Sequence, residues 1–436
     1  MRSTMAPIGR PPAFVYRRSG RAQMELCCER IPLSKLANRH GTPLYVYSAN
    51  AIRERYRAFD AAFRRVSHTI CYSVKANSNL ALLRMLAGMG SGFDVVSGGE
   101  LLRVLKAAKK ASGKVVFSGV GKTTEEMDAA LKAGILMFNV ESEAEIAALA
   151  ERAERLRKTA RIALRVNPDV PAETHPYIAT GLHQHKFGVP IGAAPRLYAF
   201  AAKQNFLSVE GVSVHIGSQI TNVTPFGAAM ERVAELVHEL KSEGHNIRYV
   251  DAGGGLGISY TEPVTDDFPK RVRAYADAVT GPLRKLDVRL LLEPGRSIIG
   301  PAGALVVRVI YRKSNNGKSF LVVDGAMNDL IRPALYGAHH EIVPVAVPSH
   351  GDGSMIVADV VGPICETGDF FARDRNIPRV EQGDLLAILD AGAYGMSISS
   401  NYNTRCRAAE VLVAGTKASL VRRREVFEDM VRNERL

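Results

Sequence analysis

Ile70-Cys71-Tyr72-Ser73-Val74 is the first of eight short apolar runs that alternate with amphipathic, helix-like segments between about residues 70 and 293. The other runs occupy residues 93–96, 115–117, 136–140, 162–166, 212–216, 249–250 and 290–292. The helix-like segments occupy residues 99–111, 124–133, 143–157, 195–205, 228–243 and 268–286, and one more, 49–65, precedes the first run. Eight strand-then-helix repeats predict a (β/α)8 barrel of the TIM type rather than an open sheet.

Beyond Arg296 the pattern changes to strand-like runs separated by turns. These runs occupy residues 304–311, 320–323, 342–347, 355–361, 385–389 and 408–413. Asn315-Asn316-Gly317 is a strong hairpin signal, and we expect residues 13–16 to join this region as a strand. The predicted fold class is therefore α/β plus all-β. Residues 43–295 form the barrel, and residues 1–42 and 296–436 form a β-sandwich or barrel-like domain.

Composition and charge narrow the class of protein. The chain has 436 residues, of which 46% are hydrophobic and 23% charged, as expected for a globular protein of two domains. No apolar run reaches the roughly 18 residues that span a bilayer, so we expect no membrane partner. The net charge is +13, but basic and aromatic residues are not interleaved, which argues against nucleic-acid binding.

The ends and the cysteines indicate a cytoplasmic protein. Residues 1–21 are basic and lack the apolar stretch of a secretion signal, so we interpret them as a cytosolic leader. The five cysteines include no CxxC pair, which argues against a disulfide framework or a zinc site. His183 and His185 form one short HxH, and we predict no metal site there.

Polar residues follow the predicted barrel strands, at the end of a barrel where functional groups lie. Lys75 follows the first strand, and burial there favours the neutral amine that forms a Schiff base. A lysine that extends to solvent from a strand end is the alternative. His215-Ile216-Gly217-Ser218-Gln219 ends the sixth strand, and a histidine that stands alone in this way is more often structural than catalytic.

A glycine-rich run and an acidic motif follow the last two strands. In residues 253–257, GGGLG, four glycines in five positions allow backbone N–H groups to approach a phosphate closely, although a tight turn is the alternative. The spacing differs from GxGxxG, which disfavours a dinucleotide. Glu293 in EPGR (293–296) is able to keep a pyridine nitrogen protonated, or to form an ordinary salt bridge.

The β region carries three further clusters. Arg332 and Tyr336 are spaced i and i+4, Cys365 is followed by the acid Glu366, and Tyr394 lies in a glycine-rich turn. Taken one at a time, each cluster favours a surface loop.

Together the motifs resemble the decarboxylase branch of the alanine-racemase-type (fold-type III) pyridoxal-phosphate enzymes. The resemblance covers about residues 14–425. It rests on seven motifs in the same order, namely SVKAN (73–77), HIGSQ (215–219), GGGLG (253–257), EPGR (293–296), RPALY (332–336), CETGD (365–369) and GAYG (392–395).

The resemblance implies a pyridoxal 5'-phosphate cofactor and a role for each site residue. Lys75 binds the cofactor covalently, His215 stacks on its ring, and Cys365 returns a proton to the carbon that loses carbon dioxide. Glu293 pairs with the pyridinium nitrogen, where racemases have an arginine. The implied cofactor-binding residues are Lys75, His215, Ser218, Gly253, Gly254, Gly255, Gly257, Glu293, Gly295, Arg296 and Tyr394.

The resemblance also implies a substrate and an assembly. Within the branch, the RPALY and CETGD motifs are similar to the pattern for decarboxylation of meso-2,6-diaminopimelate to L-lysine, the last step of lysine biosynthesis. The implied substrate-binding residues are Arg296, Arg332, Tyr336, Glu366 and Tyr394; the arginines suit a distal carboxylate and Glu366 a distal ammonium. A homodimer is implied, in which a second subunit supplies the loop with Cys365.

Other kinds of protein are also consistent with these motifs. They are a decarboxylase of ornithine, arginine or a carboxylated polyamine, and a non-catalytic relative. Arg332 argues against ornithine and arginine, and the presence of Lys75 and Cys365 argues against a non-catalytic protein. A racemase is disfavoured by Glu293.

Overall fold

A computed structural model describes residues 13–19, 23–171, 186–261, 267–347 and 354–436. His183 and His185 lie outside the described residues. The chain divides into two compact units. We name them the sheet unit (Met1–Glu54, Ile258–Asp267 and Ile298–Leu436) and the barrel unit (Arg55–Gly257 and Phe268–Ser297). No helix in the described part of the chain is long and apolar enough to cross a membrane.

The strands and helices are numbered in chain order. The strands are β1 (Phe14–Ser19), β2 (Gln23–Cys28), β3 (Ile31–Pro32), β4 (Leu44–Ser48), β5 (His68–Ser73), β6 (Gly92–Val95), β7 (Val115–Phe117), β8 (Met137–Val140), β9 (Ala160–Asn167), β10 (Val189–Pro190), β11 (Leu207–Ser213), β12 (Tyr249–Asp251), β13 (Arg289–Leu292), β14 (Gly303–Asn315), β15 (Lys318–Val323), β16 (Ile342–Pro344), β17 (Met355–Val361), β18 (Phe370–Pro378), β19 (Leu385–Ile388), β20 (Ala409–Ala414) and β21 (Lys417–Arg422). The helices are α1 (Leu33–His40), α2 (Ala49–Phe63), α3 (Leu80–Gly88), α4 (Gly98–Ala108), α5 (Thr124–Ala133), α6 (Glu143–Leu156), α7 (Ala194–Ala202), α8 (Thr224–Ser242), α9 (Phe268–Thr280), α10 (Arg296–Ile299), α11 (Arg332–Tyr336) and α12 (Phe427–Val431).

The barrel unit contains a closed parallel sheet of eight strands. The order is β5-β6-β7-β8-β9-β11-β12-β13, and β13 pairs with β5 to close the ring. All neighbouring pairs in the ring are parallel. The predicted (β/α)8 barrel is therefore confirmed, and each predicted apolar run overlaps one of these strands.

Local sequence explains why strand and helix alternate in this unit. Ser97, Thr123 and Ser142 cap α4, α5 and α6, and each hydroxyl accepts a hydrogen bond from a backbone N–H in the first turn. Because these caps follow closely after β6, β7 and β8, the loops at the carboxyl end of those strands are short. The helices thus start next to the strand ends that carry the site.

Buried side chains from five strands pack together in the barrel unit. The cluster consists of Cys71, Val116, Met137, Ala163 and Leu291. Such runs of apolar residues are expected for parallel strands that are buried on both faces. The core therefore holds the strand ends in fixed positions relative to one another.

The sheet unit contains a mixed sheet in the order β18-β17-β15-β14-β4-β20-β21, to which β16 and β19 are attached. A separate antiparallel sheet has the order β1-β2-β3. The predicted hairpin at residues 315–317 is confirmed between β14 and β15, where Asn316 and Gly317 have φ of 48° and 82°. The predicted strand at residues 13–16 overlaps β1.

The predicted boundaries at residues 43 and 296 differ from the two units. β4 pairs with β14 and β20 in the sheet unit, although its residues fall within the predicted barrel segment. Ile258–Asp267 also belongs to the sheet unit. Both differences arise from contacts between residues far apart in sequence, which a local pattern does not contain.

Candidate active site

Lys75 lies on the turn Val74–Ala76 that follows β5, and a buried carboxylate contacts its amine. Lys75 Nζ is 2.5 Å from Asp94 Oδ2, and its side chain is 36% exposed whereas that of Asp94 is 0% exposed. Ser73 Oγ donates to the same carboxylate oxygen over 3.1 Å. The amine is thus accessible, and an acceptor for its proton lies in direct contact.

Glu293 and Asp251, at the ends of β13 and β12, form a buried pair of hydrogen-bonded carboxyl groups. Burial raises the pKa of Glu293 well above its usual range, and the negative charges of Asp251 and Asp94 add to the effect. Burial also raises the pKa of Asp251. A carboxyl group with a raised pKa beside a second carboxyl group is suited to share a proton with a basic ring nitrogen.

Side chains from two other strands hold this pair in place. Asn139 Nδ2 donates to Asp251 Oδ2 over 2.8 Å and to Ser118 Oγ over 3.1 Å. Ser118 Oγ donates to Glu293 Oε1 over 3.3 Å. Four barrel strands, β7, β8, β12 and β13, thus contribute to or adjoin one polar network.

The run 253–257 follows β12 and packs closely against the end of β11. Gly253 and Gly255 have φ of 65° and 107°. A Cβ on Gly255 would lie 2.5 Å from the carbonyl oxygen of Gly217, and one on Gly253 would overlap the carbonyl oxygen of Val214. Only glycine fits both positions, and this backbone conformation is typical of anion-binding loops.

The amides of this run differ in what they contact. Those of Gly253, Gly254 and Gly257 donate to Asp251 Oδ1, His215 Nδ1 and the carbonyl oxygen of Ile220, over 2.9, 3.2 and 2.9 Å. These three N–H groups shape the loop, so the direct phosphate contacts predicted for all four glycines do not follow from the geometry. Gly255 is the better candidate for a direct contact.

His215 is held as a neutral imidazole. Burial lowers its pKa well below the usual range, and the cations Arg165 and Lys75 lower it further. Because the Gly254 amide donates to Nδ1, the ring proton resides on Nε2. A neutral, half-buried ring is suited to lie against a flat aromatic group.

Arg296 and Ser218 form a cationic site in the same unit. Arg296 is 8% exposed, and its Nη2 donates to Ser218 Oγ over 3.2 Å. Gly295 lies against the turn with Lys75, since a Cβ there would be 2.9 Å from Cβ of Ala76 and 3.1 Å from Cβ of Ser73. A guanidinium beside a hydroxyl is suited to a phosphate.

The barrel residues as a set fit pyridoxal phosphate. They offer an amine for the aldehyde, a protonated carboxyl for the ring nitrogen, a neutral imidazole for the ring face, and a glycine cradle with a guanidinium for the phosphate. The cradle is the decisive feature, because any side chain would fill it. Among the described residues no group of three or more His, Cys, Asp or Glu side chains could hold a metal ion.

In the sheet unit, Arg332 is the first residue of α11 and is buried. Its Cζ lies 4.6 Å from the centre of the Tyr260 ring, and its Nη1 is 2.7 Å from His340 Nε2. Tyr336 ends the same helix and is half-buried. Tyr394 lies on the turn after β19 and has a φ of 54°.

The loop between β17 and β18 presents Cys365 and Glu366 outward. Both side chains are exposed; Cys365 Sγ donates to Asn403 Oδ1 over 3.5 Å, and Glu366 accepts from the Tyr402 hydroxyl. The buried Asp369 braces the loop, because its two oxygens accept the backbone N–H groups of Met327 and Ile364, each over 2.7 Å. The thiol is thus held on a shaped loop and directed outward.

Comparison with known proteins shows to which family the chain belongs. Residues 49–300 match the family model described as "Pyridoxal-dependent decarboxylase, pyridoxal binding domain". A diaminopimelate decarboxylase of Neisseria meningitidis serogroup A is 50% identical over 411 residues, which cover 94% of this chain and 99% of that protein. One of Pseudomonas aeruginosa is 50% identical over 97% of this chain and 99% of that protein. The chain belongs to the diaminopimelate decarboxylase family of pyridoxal-dependent decarboxylases.

A solved structure from the diaminopimelate decarboxylase family extends the likeness to the fold. The Helicobacter pylori enzyme complexed with L-lysine superimposes with a TM-score of 0.87 at 40% identity, over 92% of this chain and 99% of that one. The predicted family, the carboxy-lyase class and the pyridoxal phosphate cofactor are confirmed.

Three residues with clear positions in the structure were not predicted as site residues. Asp94 and Asp251 contact Lys75 and Glu293, and His340 contacts Arg332. A signal for Asp94 did exist: it lies within the apolar strand Gly92–Val95, where a buried carboxylate is costly unless it is paired. His340 follows another histidine in a loop and gives no comparable signal.

Proposed function

We propose that this chain is a cytoplasmic homodimer that decarboxylates meso-2,6-diaminopimelate to L-lysine and carbon dioxide, the last step of lysine biosynthesis. The observation that carries the proposal is 50% identity to diaminopimelate decarboxylases over nearly the whole length of both chains. Bound pyridoxal phosphate supplies a protonated aromatic ring that accepts the electron pair left behind by carbon dioxide.

The barrel residues prepare the amine and the ring. Lys75 must lose a proton to act as a nucleophile, and Asp94 Oδ2, 2.5 Å away, is placed to accept it. Glu293 would face the ring nitrogen and keep it protonated, and Asp251 beside it would hold the Glu293 carboxyl in place. Neutral His215 would pack against the ring without adding a positive charge that would compete with the ring nitrogen.

The sheet-unit residues act on the substrate. Arg332 would bind the distal carboxylate together with Tyr336 and Tyr394, and Glu366 would bind the distal ammonium. Arg296, in the barrel unit, would serve the cofactor phosphate and the substrate carboxylate. Cys365 would supply the proton that replaces the lost carboxylate, and its exposed position on a braced loop supports that role.

A substrate panel tests the proposal. Purified protein with pyridoxal phosphate is given meso-diaminopimelate, L-ornithine and L-arginine separately, while carbon dioxide and the amine product are followed. We expect L-lysine from diaminopimelate alone. Release from ornithine or arginine instead would overturn the role of Arg332. Lys75→Ala should abolish turnover and the visible absorption of the Schiff base, whereas Lys109→Ala, an exposed lysine, serves as the matched control.

The shared active site has its own test. If the partner subunit receives Cys365, then mixing inactive Lys75→Ala and Cys365→Ala proteins yields mixed dimers with one intact site. Random exchange should restore about a quarter of wild-type activity. Cys406→Ala, which changes another free thiol, is the control and should stay active. No recovery from a mixture shown by mass to contain mixed dimers would contradict sharing, and an active monomer would contradict the dimer.

A further inference from the structure

His340, Arg332 and Tyr260 form a buried cluster in the sheet unit. His340 is 0% exposed and Arg332 is 5% exposed. The His340 ring meets the Tyr260 ring edge-on, with centroids 5.3 Å apart and an interplanar angle of 71°. The Arg332 guanidinium lies over the same tyrosine ring. Each of the three side chains therefore contacts the other two.

The hydrogen bonds of His340 define its protonation. Arginine only donates, so His340 Nε2, 2.7 Å from Arg332 Nη1, must be the acceptor and carries no proton. The proton of the neutral ring then lies on Nδ1, which donates to the carbonyl oxygen of Leu389 over 2.7 Å. Both ring nitrogens are satisfied only by this one tautomer.

We propose that His340 is a positioning residue that sets the orientation of the Arg332 guanidinium and thereby the enzyme's preference for a ligand with a distal carboxylate. The inference rests on the proposed function, in which Arg332 binds that carboxylate. A guanidinium is a planar fork of five N–H groups. With one N–H directed at His340 and one face on Tyr260, the plane of the fork is fixed before the ligand binds.

His340 also joins Arg332 to the turn that carries Tyr394. Leu389 immediately follows β19 and precedes residues 390–395. Its amide donates to the carbonyl oxygen of Glu341 over 2.9 Å, so the backbone beside His340 is paired with the same segment. The histidine therefore connects two segments that contribute predicted substrate residues, which favours a positioning role over simple space filling.

Two substitutions separate the two hydrogen bonds. His340→Asn places an amide near the position of Nδ1 and keeps a donor for Leu389, but it leaves no acceptor for Arg332. His340→Gln reaches the position of Nε2 and offers a carbonyl acceptor to Arg332. A positioning role predicts impairment in the first variant and substantial rescue in the second.

The test compares two ligands of the pyridoxal-phosphate-loaded enzyme. L-Lysine keeps the carboxylate that Arg332 is proposed to bind, and 1,5-diaminopentane is L-lysine without it. Affinities are read from the change in visible absorption. In His340→Asn we expect L-lysine to bind at least about tenfold more weakly, as for loss of a charged hydrogen bond. Diaminopentane affinity should stay unchanged, and KM for diaminopimelate should rise more than kcat falls.

The outcomes separate this inference from the proposed function. Arg332→Met is measured in parallel: if it does not weaken L-lysine binding relative to diaminopentane, the role of Arg332 itself fails. If Arg332→Met weakens it and His340→Asn does not, only the positioning role fails. The positioning role is also overturned if His340→Asn weakens the binding of L-lysine and diaminopentane equally, or if His340→Gln does not restore L-lysine binding. Should His340→Asn not fold, His340→Met, which fills the space without an acceptor, is judged by the same criteria.

Discussion

Glu100 offers a direct test of how burial changes the ionisation of a carboxyl group at the end of the barrel that carries the site. It lies in the first turn of α4, and its Oε2 accepts the backbone N–H of Val96 over 2.8 Å. Burial raises the pKa of Glu100 to about 7; the Val96 hydrogen bond opposes this rise and the charge of Asp94 adds to it. The ionised form is therefore disfavoured in the folded chain, and Glu100→Gln removes that penalty while keeping an acceptor for Val96.

The size and sign of the effect follow from the two pKa values. Between the usual 4.5 and about 7 lie about 2.5 pH units, which correspond to an upper limit of about 3 kcal/mol. Because the side chain is partly exposed, we expect about 1–3 kcal/mol. Below pH 4.5 Glu100 is protonated in both the folded and the unfolded chain, and no stability is lost. As the pH rises from 4.5 to 7, the unfolded chain ionises first, and the folded chain loses stability.

Thermal unfolding by calorimetry at pH 5 and pH 8 measures the difference. Glu100→Gln should unfold a few degrees higher than the unmodified protein at pH 8, and the gain at pH 5 should be about a quarter as large. Glu151→Gln, which changes an exposed glutamate on α6, controls for net charge and should show no such dependence on pH. The reasoning is refuted if Glu100→Gln shows no gain at pH 8, or the same gain at both pH values.

Three further substitutions test other parts of the structure. Gly255→Ala, whose Cβ would lie 2.5 Å from the Gly217 carbonyl oxygen, should weaken pyridoxal phosphate binding by at least about tenfold in a cofactor titration; unchanged affinity would argue against the cradle. Glu425 is partly desolvated, which raises its pKa, yet hydrogen bonds led by that of Arg407 lower it to about 2. Glu425→Gln should thus cost about 1–3 kcal/mol in urea unfolding at pH 7, with the difference shrinking as the pH falls from 4.5 towards 2. Leu291→Ala in the barrel core should cost about 2–5 kcal/mol in the same assay, and a loss below about 1 kcal/mol would show that the core collapses around the cavity.

The barrel could be predicted because its signal is local and repeated. Each strand is a short apolar run, and each following helix has its own hydrophobic period, with a side-chain cap on α4, α5 and α6, so errors in single runs do not change the count. Strand β11 shows the typical error: the prediction began at residue 212, whereas the strand begins at Leu207, since Glu210 and Gly211 interrupt its apolar character.

The sheet unit was harder to predict because its strands are defined by distant partners. β4 belongs there through pairing with β14 and β20, more than 250 residues away in sequence. β18 and β21 were not predicted at all. Their outward-facing residues, such as Arg373 and Lys417, are exposed and interrupt the apolar pattern that marks the other strands.

The residues of the candidate site show the same difference between local signals and contacts with distant partners. Lys75, His215 and Glu293 stand in short motifs at strand ends and could be predicted from those motifs. Asp251 was not predicted, because its role depends on Asn139 and on Glu293, which come from other strands. The role of a residue that acts through a partner can be recognised only from the structure, which shows the two residues in contact.

The charge at this end of the barrel indicates why these residues are present. Asp94, Asp251 and Glu293 are all buried, and replacing such groups with apolar side chains is often neutral or stabilising. Stability alone would therefore not favour three carboxyl groups with one contacting amine. Each has instead a specific relation to a proton: Asp94 accepts a hydrogen bond from Lys75, and the raised pKa values of Asp251 and Glu293 favour retention of a proton. The cost in folding free energy is understandable if the barrel end is organised to transfer protons to and from a bound cofactor.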